Sequence, residues 1–393
     1  RTCLLSMEHK RRQHDQDFET RLWRDHGIQV RQFMRRGRGL VSSRRYARGA
    51  EIFCDKPLVS MQHIFSQRMT PCCAGCMAPV GSFHDLLHQI LRNSHQTVSS
   101  FGEIPASHPW LQGRAPVPCL TKGCKALFCE EACREQELSH GAHRLLCSEL
   151  HRDKGRLRSW SCFKAYARQH HENLLLAALA LSWALCQVLY WGMSPKKAVA
   201  ELLMCQNDRW ELLTSSQGQR TRQRIVAESW ALLREVLYPA EASPDLPVLL
   251  SQEVFSRLLG EFDLVNASIE FDHPFQATLN LPELQPLTSS MRRLGLWRAV
   301  AEVTSCRFEA TDQGAEDLEE ELPPVLGIGL ARRVALMNHS CRPACEIDYK
   351  TVNSTAVVTA LREIEIGEEL TISYIDEALS LKRRRRLLWQ RYG

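Results

Sequence analysis

The amino-acid sequence predicts a mixed α+β fold that is mostly β towards both ends of the chain. Three observations support this prediction. Short apolar runs separated by turn residues occur at residues 28–60 and again after residue 325. Eight of the 16 cysteines lie within residues 71–147, and residues 155–260 carry long stretches of helix-period apolar pattern. The order is therefore a β unit, a cysteine-rich unit, a helical middle and a second β unit.

The composition indicates a globular protein of moderate charge. The 393 residues are 44% hydrophobic, which is enough to bury one large core or two smaller ones. Fifty Lys and Arg residues against 45 Asp and Glu residues give a net charge of +5, which does not by itself indicate a nucleic-acid-binding protein. Local basic clusters could face an acidic partner, act as an import signal or form solvated helix faces; they are 10–12, 35–38, 44–48 and 382–386.

The cysteine content favours metal ligands and buried thiols over a disulfide framework, because cytosolic and nuclear thiols stay reduced. We therefore expect an intracellular protein without a secretory leader, in the nucleus and cytoplasm. The chain begins with Arg1 and stops at Gly393 just after a basic helical run, so we expect a fragment of a longer protein.

The first β unit is predicted from residues 28–60. A strand, a basic glycine turn at 36–39, a strand through Leu40, a turn at 48–49 and a third strand from 51 to 53 follow one another.

The cysteine-rich unit presents seven cysteines and one histidine at spacings typical of zinc ligands. They are Cys73, Cys76, Cys119, Cys124, Cys129, Cys133, His143 and Cys147. Eight donors are enough for two tetrahedral zinc sites. Two ligands that are close in sequence close only a local loop, so each ion must bind ligand pairs from distant parts of the unit. Cys72 and His140 are close neighbours of Cys73 and His143 and could replace them. The 42-residue insert after Cys76 predicts a long loop with one short helix.

The helical middle contains a stretch, 174–190, whose length approaches that of a membrane span. We interpret it as a buried helix, because its apolar run is shorter than about 20 residues and lies beside the polar residues 170–173. The sequence also contains no second apolar segment of this kind. A membrane span is the less favoured alternative, and no membrane association is expected. A helix–helix connection is predicted at 238–247.

The second β unit follows an acidic loop at 311–324. Four strands are predicted, and residues 365–368 are predicted as a hairpin turn. The strands are 327–330, 344–349, 356–361 and 370–374. The string Asn338-His339-Ser340-Cys341-Arg342-Pro343 lies just before the second of these, and the last ends in Tyr374.

Several segments of the two β units resemble a SET domain. The first unit contributes Arg36-Gly37-Arg38-Gly39-Leu40 and residues 49–59, and the second contributes 325–330, 336–343 and 367–376. With the eight-ligand unit inserted between them, the chain resembles the SET and MYND domain family of protein lysine methyltransferases. The long insert in the finger and the sequence Asp208-Arg209-Trp210 resemble features of SET and MYND domain-containing protein five and its relatives.

The resemblance implies a mostly β SET core with a knot-like cofactor site, an inserted MYND zinc finger and a helical insert. The implied boundaries are 28–70 for the first SET part, 71–150 for the MYND finger, 151–265 for the helical insert, 266–378 for the second SET part and 379–393 for the start of a truncated post-SET region. In the finger, the family's interleaved topology would give one zinc ion Cys73, Cys76, Cys129 and Cys133, and the other Cys119, Cys124, His143 and Cys147.

The implied reaction is methyl transfer from S-adenosylmethionine to a lysine of histones or other proteins. By resemblance, Tyr374 is the catalytic tyrosine, Asn338 and His339 bind the cofactor, and Arg36 and Arg38 are the basic contacts of the glycine turn. Each residue alone has a simpler interpretation: a packed strand tyrosine, turn residues and solvated charges.

The chain departs from the family in three places. Cys119 and Cys124 are separated by four residues where the family usually has two. Ala344 stands where the family usually has Asn, which removes a side chain that could hydrogen-bond the turn. The family's Cys-x-Cys-x2-Cys, which joins the counterpart of Cys341 in a third zinc site and supplies an aromatic wall of the lysine channel, would lie beyond Gly393. The fragment could therefore be inactive even if its parent is an enzyme.

The expected partners are lysine-bearing protein substrates and, at the MYND finger, proline-rich co-repressor peptides. The protein is expected to be a monomer that does not bind nucleic acid directly. One alternative is a non-catalytic scaffold or reader in transcriptional repression that binds proline-rich partners. Another is a nucleic-acid-binding zinc protein, which the modest net charge disfavours.

Overall fold

The computed structural model describes residues 24–34, 36–92, 111–238, 246–265, 267–297, 299–300 and 322–392, together with Leu22 and Val98. The acidic loop at 311–321, most of the 238–247 connection and the middle of the finger insert lie outside the described residues. The single helix seen in the described part of that insert, Phe83–Leu91, agrees with the prediction.

Short strands within these ranges form four small sheets. They are β1 (Ile28–Phe33), β2 (Gly37–Ser42), β3 (Glu51–Asp55), β4 (Ser60–Gln62), β5 (Val117–Pro118), β6 (Leu127–Phe128), β7 (Ala267–Phe271), β8 (Val325–Gly329), β9 (Asn338–His339), β10 (Cys345–Asp348), β11 (Ala356–Ala360) and β12 (Glu369–Ile372). The sheet orders are β1-β2-β12-β9, β10-β11-β3, β4-β8-β7 and β5-β6.

The α-helices within the same ranges are α1 (Phe83–Leu91), α2 (Glu131–Ser139), α3 (Lys154–His170), α4 (Asn173–Trp191), α5 (Pro195–Leu202), α6 (Ser216–Leu237), α7 (Gln252–Val265), α8 (Pro274–Leu279), α9 (Gln285–Arg293) and α10 (Leu381–Tyr392). Shorter helical turns are Ser66–Arg68, Arg144–Glu149, Leu150–Arg152, Trp210–Leu212, Leu246–Val248, Pro282–Leu284 and Val334–Leu336. The predicted mixed fold, with β units on either side of a helical middle, is therefore confirmed.

The first sheet joins the two ends of the sequence. β1 and β2 form an antiparallel hairpin, and β12 pairs antiparallel with β2, placing Leu370 opposite Leu40. On its other side β12 runs parallel to β9, with Thr371 opposite Asn338 and Ile372 opposite His339. Residues more than 300 positions apart thus share one sheet edge.

The predicted hairpin at 365–368 is wrong. These residues do form a turn, but β11 before it and β12 after it belong to different sheets. Ile364 bridges to Tyr46, and the Glu368 carbonyl accepts a hydrogen bond from the Ser42 N–H, so the turn carries the chain from one sheet to the next. Alternating apolar residues predict strands on each side of a turn but not which strand each one pairs with.

The helical middle is built around α4. Its residues are apolar on all faces, as expected of a helix surrounded by other elements, and Leu174 and Leu181 are fully buried. The helix ends at Gly192, whose left-handed φ of 68° suits glycine, and the Met193 N–H donates to the Gln187 carbonyl. By length and composition α4 is the one helix among the described residues that could cross a membrane, yet 56% of its apolar window is buried inside the protein. The predicted buried helix is a core helix.

Candidate functional site

A cavity of about 1160 Å³ lies beside β2 and β9 of the first sheet. The segment 205–207, the helical turn Val334–Leu336 and the helices α7 and α10 contribute further parts of its wall. Its lining comprises Gln32, Arg36, Gly37, Arg38, Cys205, Gln206, Asn207, Arg257, Leu264, Val265, Ala335, Leu336, Asn338, His339, Tyr374, Arg385, Arg386, Leu388 and Trp389. The structure thus brings together Tyr374, Asn338, His339, Arg36 and Arg38, the residues for which the sequence predicts a catalytic or cofactor-binding role.

Asn338 holds the glycine turn to the sheet. Its Nδ2 donates to Glu369 Oε1 at 2.8 Å and to the Arg38 carbonyl at 3.3 Å. This contact depends on Gly39, because a Cβ at that position would lie 2.5 Å from Asn338 Nδ2. The glycine therefore serves close approach of a side chain to the backbone rather than an unusual φ.

His339 and Tyr374 form a second contact pair at the cavity wall. The Tyr374 N–H donates to His339 Nδ1 at 3.0 Å, so the imidazole accepts at that nitrogen. The rings are tilted at 43° with centroids 5.4 Å apart. Burial, reinforced by the charge of Arg384 and opposed by that of Glu377, lowers the pKa of His339, so its neutral form is favoured. The Tyr374 hydroxyl donates to the Met337 carbonyl.

The two turn arginines differ in their surroundings. Arg36 Nη1 lies 2.9 Å from Glu369 Oε2, and its guanidinium stands over the Phe33 ring, 4.9 Å from the ring centroid. Arg38 instead donates to the backbone carbonyl of Met204, which ties the turn to the segment after α5. Glu369 therefore serves both Arg36 and Asn338 and organises this wall.

The turn that contains Ala344 is secured without the missing Asn. The buried Ala344 N–H donates to Thr371 Oγ1 at 3.1 Å, and its carbonyl accepts from the Leu361 N–H at 2.9 Å. A threonine on the neighbouring strand thus supplies an acceptor for the turn.

Several further lining residues were not predicted from the sequence, among them Arg257, Asn207 and Trp389. Arg257 on α7 donates from Nε and Nη2 to Asn207 Oδ1, at 3.0 and 2.7 Å. Trp389 on α10 lines the cavity with 74% of its surface exposed. The sequence Asp208-Arg209-Trp210 lies directly after Asn207, and Trp389 follows the basic run 382–386, so both regions carried a signal without identifying these side chains.

The cysteine-rich unit contains two groups of potential metal ligands. In each group, the ligand atoms all lie within 4.8 Å of one another. One group is Cys73, Cys76, Cys129 and Cys133, and the other is Cys119, Cys124, His143 and Cys147. These are the two sets that the family resemblance implies.

The spacing of the sulfur atoms fits a tetrahedral metal. Cys73 and Cys133 Sγ are 3.4 Å apart, and Cys76 and Cys129 Sγ are 3.6 Å apart. A disulfide requires about 2.05 Å, whereas thiolates about 2.3 Å from a tetrahedral zinc ion lie about 3.8 Å apart. Cys119 Sγ lies 3.3 Å from His143 Nε2. Both groups could therefore hold zinc.

The alternative ligands have other contacts. Cys72 is not in either group and instead pairs through its backbone with Pro79. The His140 ring stacks on Trp191 at 3.7 Å, and its Nδ1 lies 2.7 Å from Ser139 Oγ. Cys341 is in neither group, and its Sγ lies 3.3 Å from His339 Nε2.

Comparison with known proteins agrees with this architecture. The family model of the SET domain matches residues 37–375. Human histone-lysine N-methyltransferase SMYD3 (Homo sapiens) is 40% identical over 67 residues, 17% of this chain and 15% of that protein. Protein-lysine N-trimethyltransferase SMYD5 of Gallus gallus is 24% identical over 357 residues, 87% of this chain and 77% of that protein.

A plant protein is similar over nearly the whole chain. Histone-lysine N-methyltransferase ATXR2 of Arabidopsis thaliana is 22% identical over 437 residues, 93% of this chain and 88% of that protein. The match to SMYD3 thus spans less than two thirds of that relative, while the matches to SMYD5 and ATXR2 span more than three quarters of theirs.

Proposed function

This chain belongs to the SET domain family, and from that membership we propose that it is a protein-lysine N-methyltransferase that uses S-adenosylmethionine. The observation that carries the proposal is the convergence of Tyr374, Asn338 and His339 on one cavity, from segments that the first sheet holds together. Relatives named as histone-lysine or protein-lysine methyltransferases support the same reaction class.

The cavity has room for both reactants. Its volume of about 1160 Å³ exceeds the roughly 300–1,000 Å³ typical of a site for one small ligand. Asn338, His339 and Arg38 would hold the cofactor, since they offer amide, imidazole and guanidinium groups at one wall. When bound, S-adenosylmethionine supplies an electrophilic methyl group on a positively charged sulfur.

Tyr374 would position the acceptor. Its hydroxyl oxygen can still accept a hydrogen bond while its proton is donated to the Met337 carbonyl, so it can fix the direction of a lysine amine. The residues Leu264, Val265 and Leu336 add apolar surface to the same space. Orientation of nucleophile, methyl carbon and sulfur in one line would supply much of the acceleration that such a displacement requires.

The cysteine-rich unit is proposed to be a MYND finger that binds two zinc ions through the eight named ligands. A third ion at Cys341 depends on post-SET cysteines outside this sequence. The domain boundaries, the knot-like form of the cofactor site, proline-rich partners of the finger and a nuclear and cytoplasmic location stay predictions.

Transfer of labelled methyl from S-adenosylmethionine to histones and to a cell lysate tests the proposal. We expect label on lysine with the zinc-loaded wild type and at least a hundredfold less with Tyr374→Phe, because the positioning hydroxyl is lost. Tyr166→Phe is the matched control, since its hydroxyl bonds Glu228 in the helical middle, away from the cavity.

Calorimetry tests binding of S-adenosylmethionine separately from methyl transfer. We expect both variants to bind S-adenosylmethionine as the wild type does. Absence of label together with absence of cofactor binding by the wild type would contradict the methyltransferase assignment and favour the scaffold alternative.

A further inference from the structure

The cavity wall carries an unusual charge. Within the described part of the chain, five arginines line it and no Asp or Glu does: Arg36, Arg38, Arg257, Arg385 and Arg386. This local concentration contrasts with the whole chain, whose net charge is only +5. The excess is therefore a property of the site rather than of the protein surface in general.

Three of these charges have no anionic partner among the described residues. Arg36 pairs with Glu369 at 2.9 Å. Arg38 donates to the Met204 carbonyl, and Arg257 donates to the neutral side-chain oxygen of Asn207. Arg385 and Arg386, on the exposed face of α10, form no ion pair with any described residue. The rim formed by Arg257, Arg385 and Arg386 thus faces the cavity without an anionic partner in the described structure.

The proposed reactants do not supply the missing negative charge. S-adenosylmethionine carries one carboxylate but also an ammonium and a sulfonium group, and the acceptor lysine brings no negative charge in either protonation state. A cationic rim in a partly enclosed site repels such reactants, and the repulsion is stronger than in water because the local dielectric is lower. An anion at the rim would offset this repulsion.

We propose that the rim formed by Arg257, Arg385 and Arg386 recognises acidic side chains that flank the target lysine of the protein substrate. This inference rests on the proposed methyltransferase function and specifies its substrate class. Guanidinium groups suit carboxylates because their planar fork donates two parallel hydrogen bonds. The apolar side chains of Leu264, Val265 and Leu388 lie in the same wall and suit a peptide better than a phosphate backbone.

Three synthetic peptides test the preference. They share one central lysine and one length, and the flanking positions are Glu, Gln or Arg. We expect kcat/KM for the Glu peptide to exceed that for the Gln peptide by roughly tenfold, and the Arg peptide to be the poorest, since arginine–carboxylate pairs form at the rim with Glu and not with Gln or Arg. The preference should shrink as salt rises from 50 to 500 mM.

Charge reversal identifies the residues responsible. In Arg385→Glu/Arg386→Glu we expect the order to invert, with the Arg peptide favoured over the Glu peptide. The matched control is Arg383→Glu, an exposed arginine on the same helix that does not line the cavity, which should keep the wild-type order. An inverted preference also shows that the double variant is folded.

Equilibrium binding distinguishes the remaining outcomes. Fluorescence anisotropy of the labelled Glu peptide measures binding of the peptide to the rim even where no methyl is transferred. Methylation of histones without any peptide preference would overturn this inference and leave the proposed function intact. Binding of the Glu peptide without transfer to any acceptor would support the rim and count against the proposed function. Tighter binding of single-stranded RNA, displaced by neither peptide and lost in the double variant, would assign the rim to nucleic acid instead.

Discussion

At the scale of single residues, Gly39 decides whether the cavity wall can form. A Cβ there would lie 2.5 Å from Asn338 Nδ2, 2.8 Å from Phe33 Cε2 and 2.9 Å from Glu369 Oε1. In Gly39→Ala these groups must move, and the Asn338 amide, which is the nearest of them, must shift from its contact with Glu369. We expect a loss of about 1–3 kcal/mol of stability and at least tenfold weaker binding of S-adenosylmethionine.

Titration calorimetry and urea unfolding measure the two effects. Gly155→Ala is a suitable control, because it lies in the first turn of α3 and its added methyl would meet only Asp153 Oδ1, at 3.2 Å. Cofactor affinity that is equal in the wild type and Gly39→Ala would mean that Asn338 does not organise the site.

Thr371 offers a second test at this scale. Its hydroxyl accepts from the buried Ala344 N–H, and Thr371→Val keeps the shape of the side chain while removing that acceptor. Leaving a buried N–H unsatisfied costs about 1–3 kcal/mol, so the free energy of unfolding should fall by that amount. Thr355→Val, whose hydroxyl bonds no described residue, should change it by less than about 0.5 kcal/mol; equal effects would show that the turn does not rely on Thr371.

At the scale of elements, the cysteine-rich unit depends on metal. Around the ligands, the strands β5 and β6 have two residues each and α2 buries none of its residues. Apart from Ala78, Val80 and Phe128, the buried residues of this cluster are the ligands themselves. We expect two zinc ions per chain by native mass spectrometry, one in Cys129→Ser and two in Cys72→Ser. If Cys72→Ser also loses an ion, Cys72 is a zinc ligand and the assigned ligand set is wrong.

The sequence predicted which segments form strands and helices better than it predicted which of them contact one another. Local spacing identified eight candidate zinc ligands, but the division of these ligands into two groups came from family resemblance. The spacing within a ligand pair does not show which other pair binds the same ion. For the same reason the strands β11 and β12 were expected to pair and do not. Arg257 of α7, Trp389 of α10 and Asn207 after α5 meet at the cavity although they are far apart in the sequence. The sequence signals near Asn207 and Trp389 did not show that these side chains lie together.

At the scale of the whole molecule, the helical middle and the β units share a core. The cluster around α4 includes Met61 of β4, Ile328 of β8 and Leu330, so the inserted helices and the sheet β4-β8-β7 bury one another. The second core, around Ile28, Leu40 and Leu370, lies under the sheet that carries the cavity wall. Loss of packing in the helical middle should therefore also destabilise the β region.

Leu181→Ala tests this coupling. Leu181 is fully buried at the centre of α4, so its truncation leaves a cavity and should cost about 2–5 kcal/mol. Leu189→Ala, on the same helix at a position that is 36% exposed, should cost less than about 1 kcal/mol. Because Met61 of β4 and Ile328 of β8 belong to the same core cluster as α4, hydrogen exchange of the Ile328 amide should accelerate in Leu181→Ala together with that of the helix. Faster exchange confined to the helical middle would mean that the insert and the β region unfold as separate units.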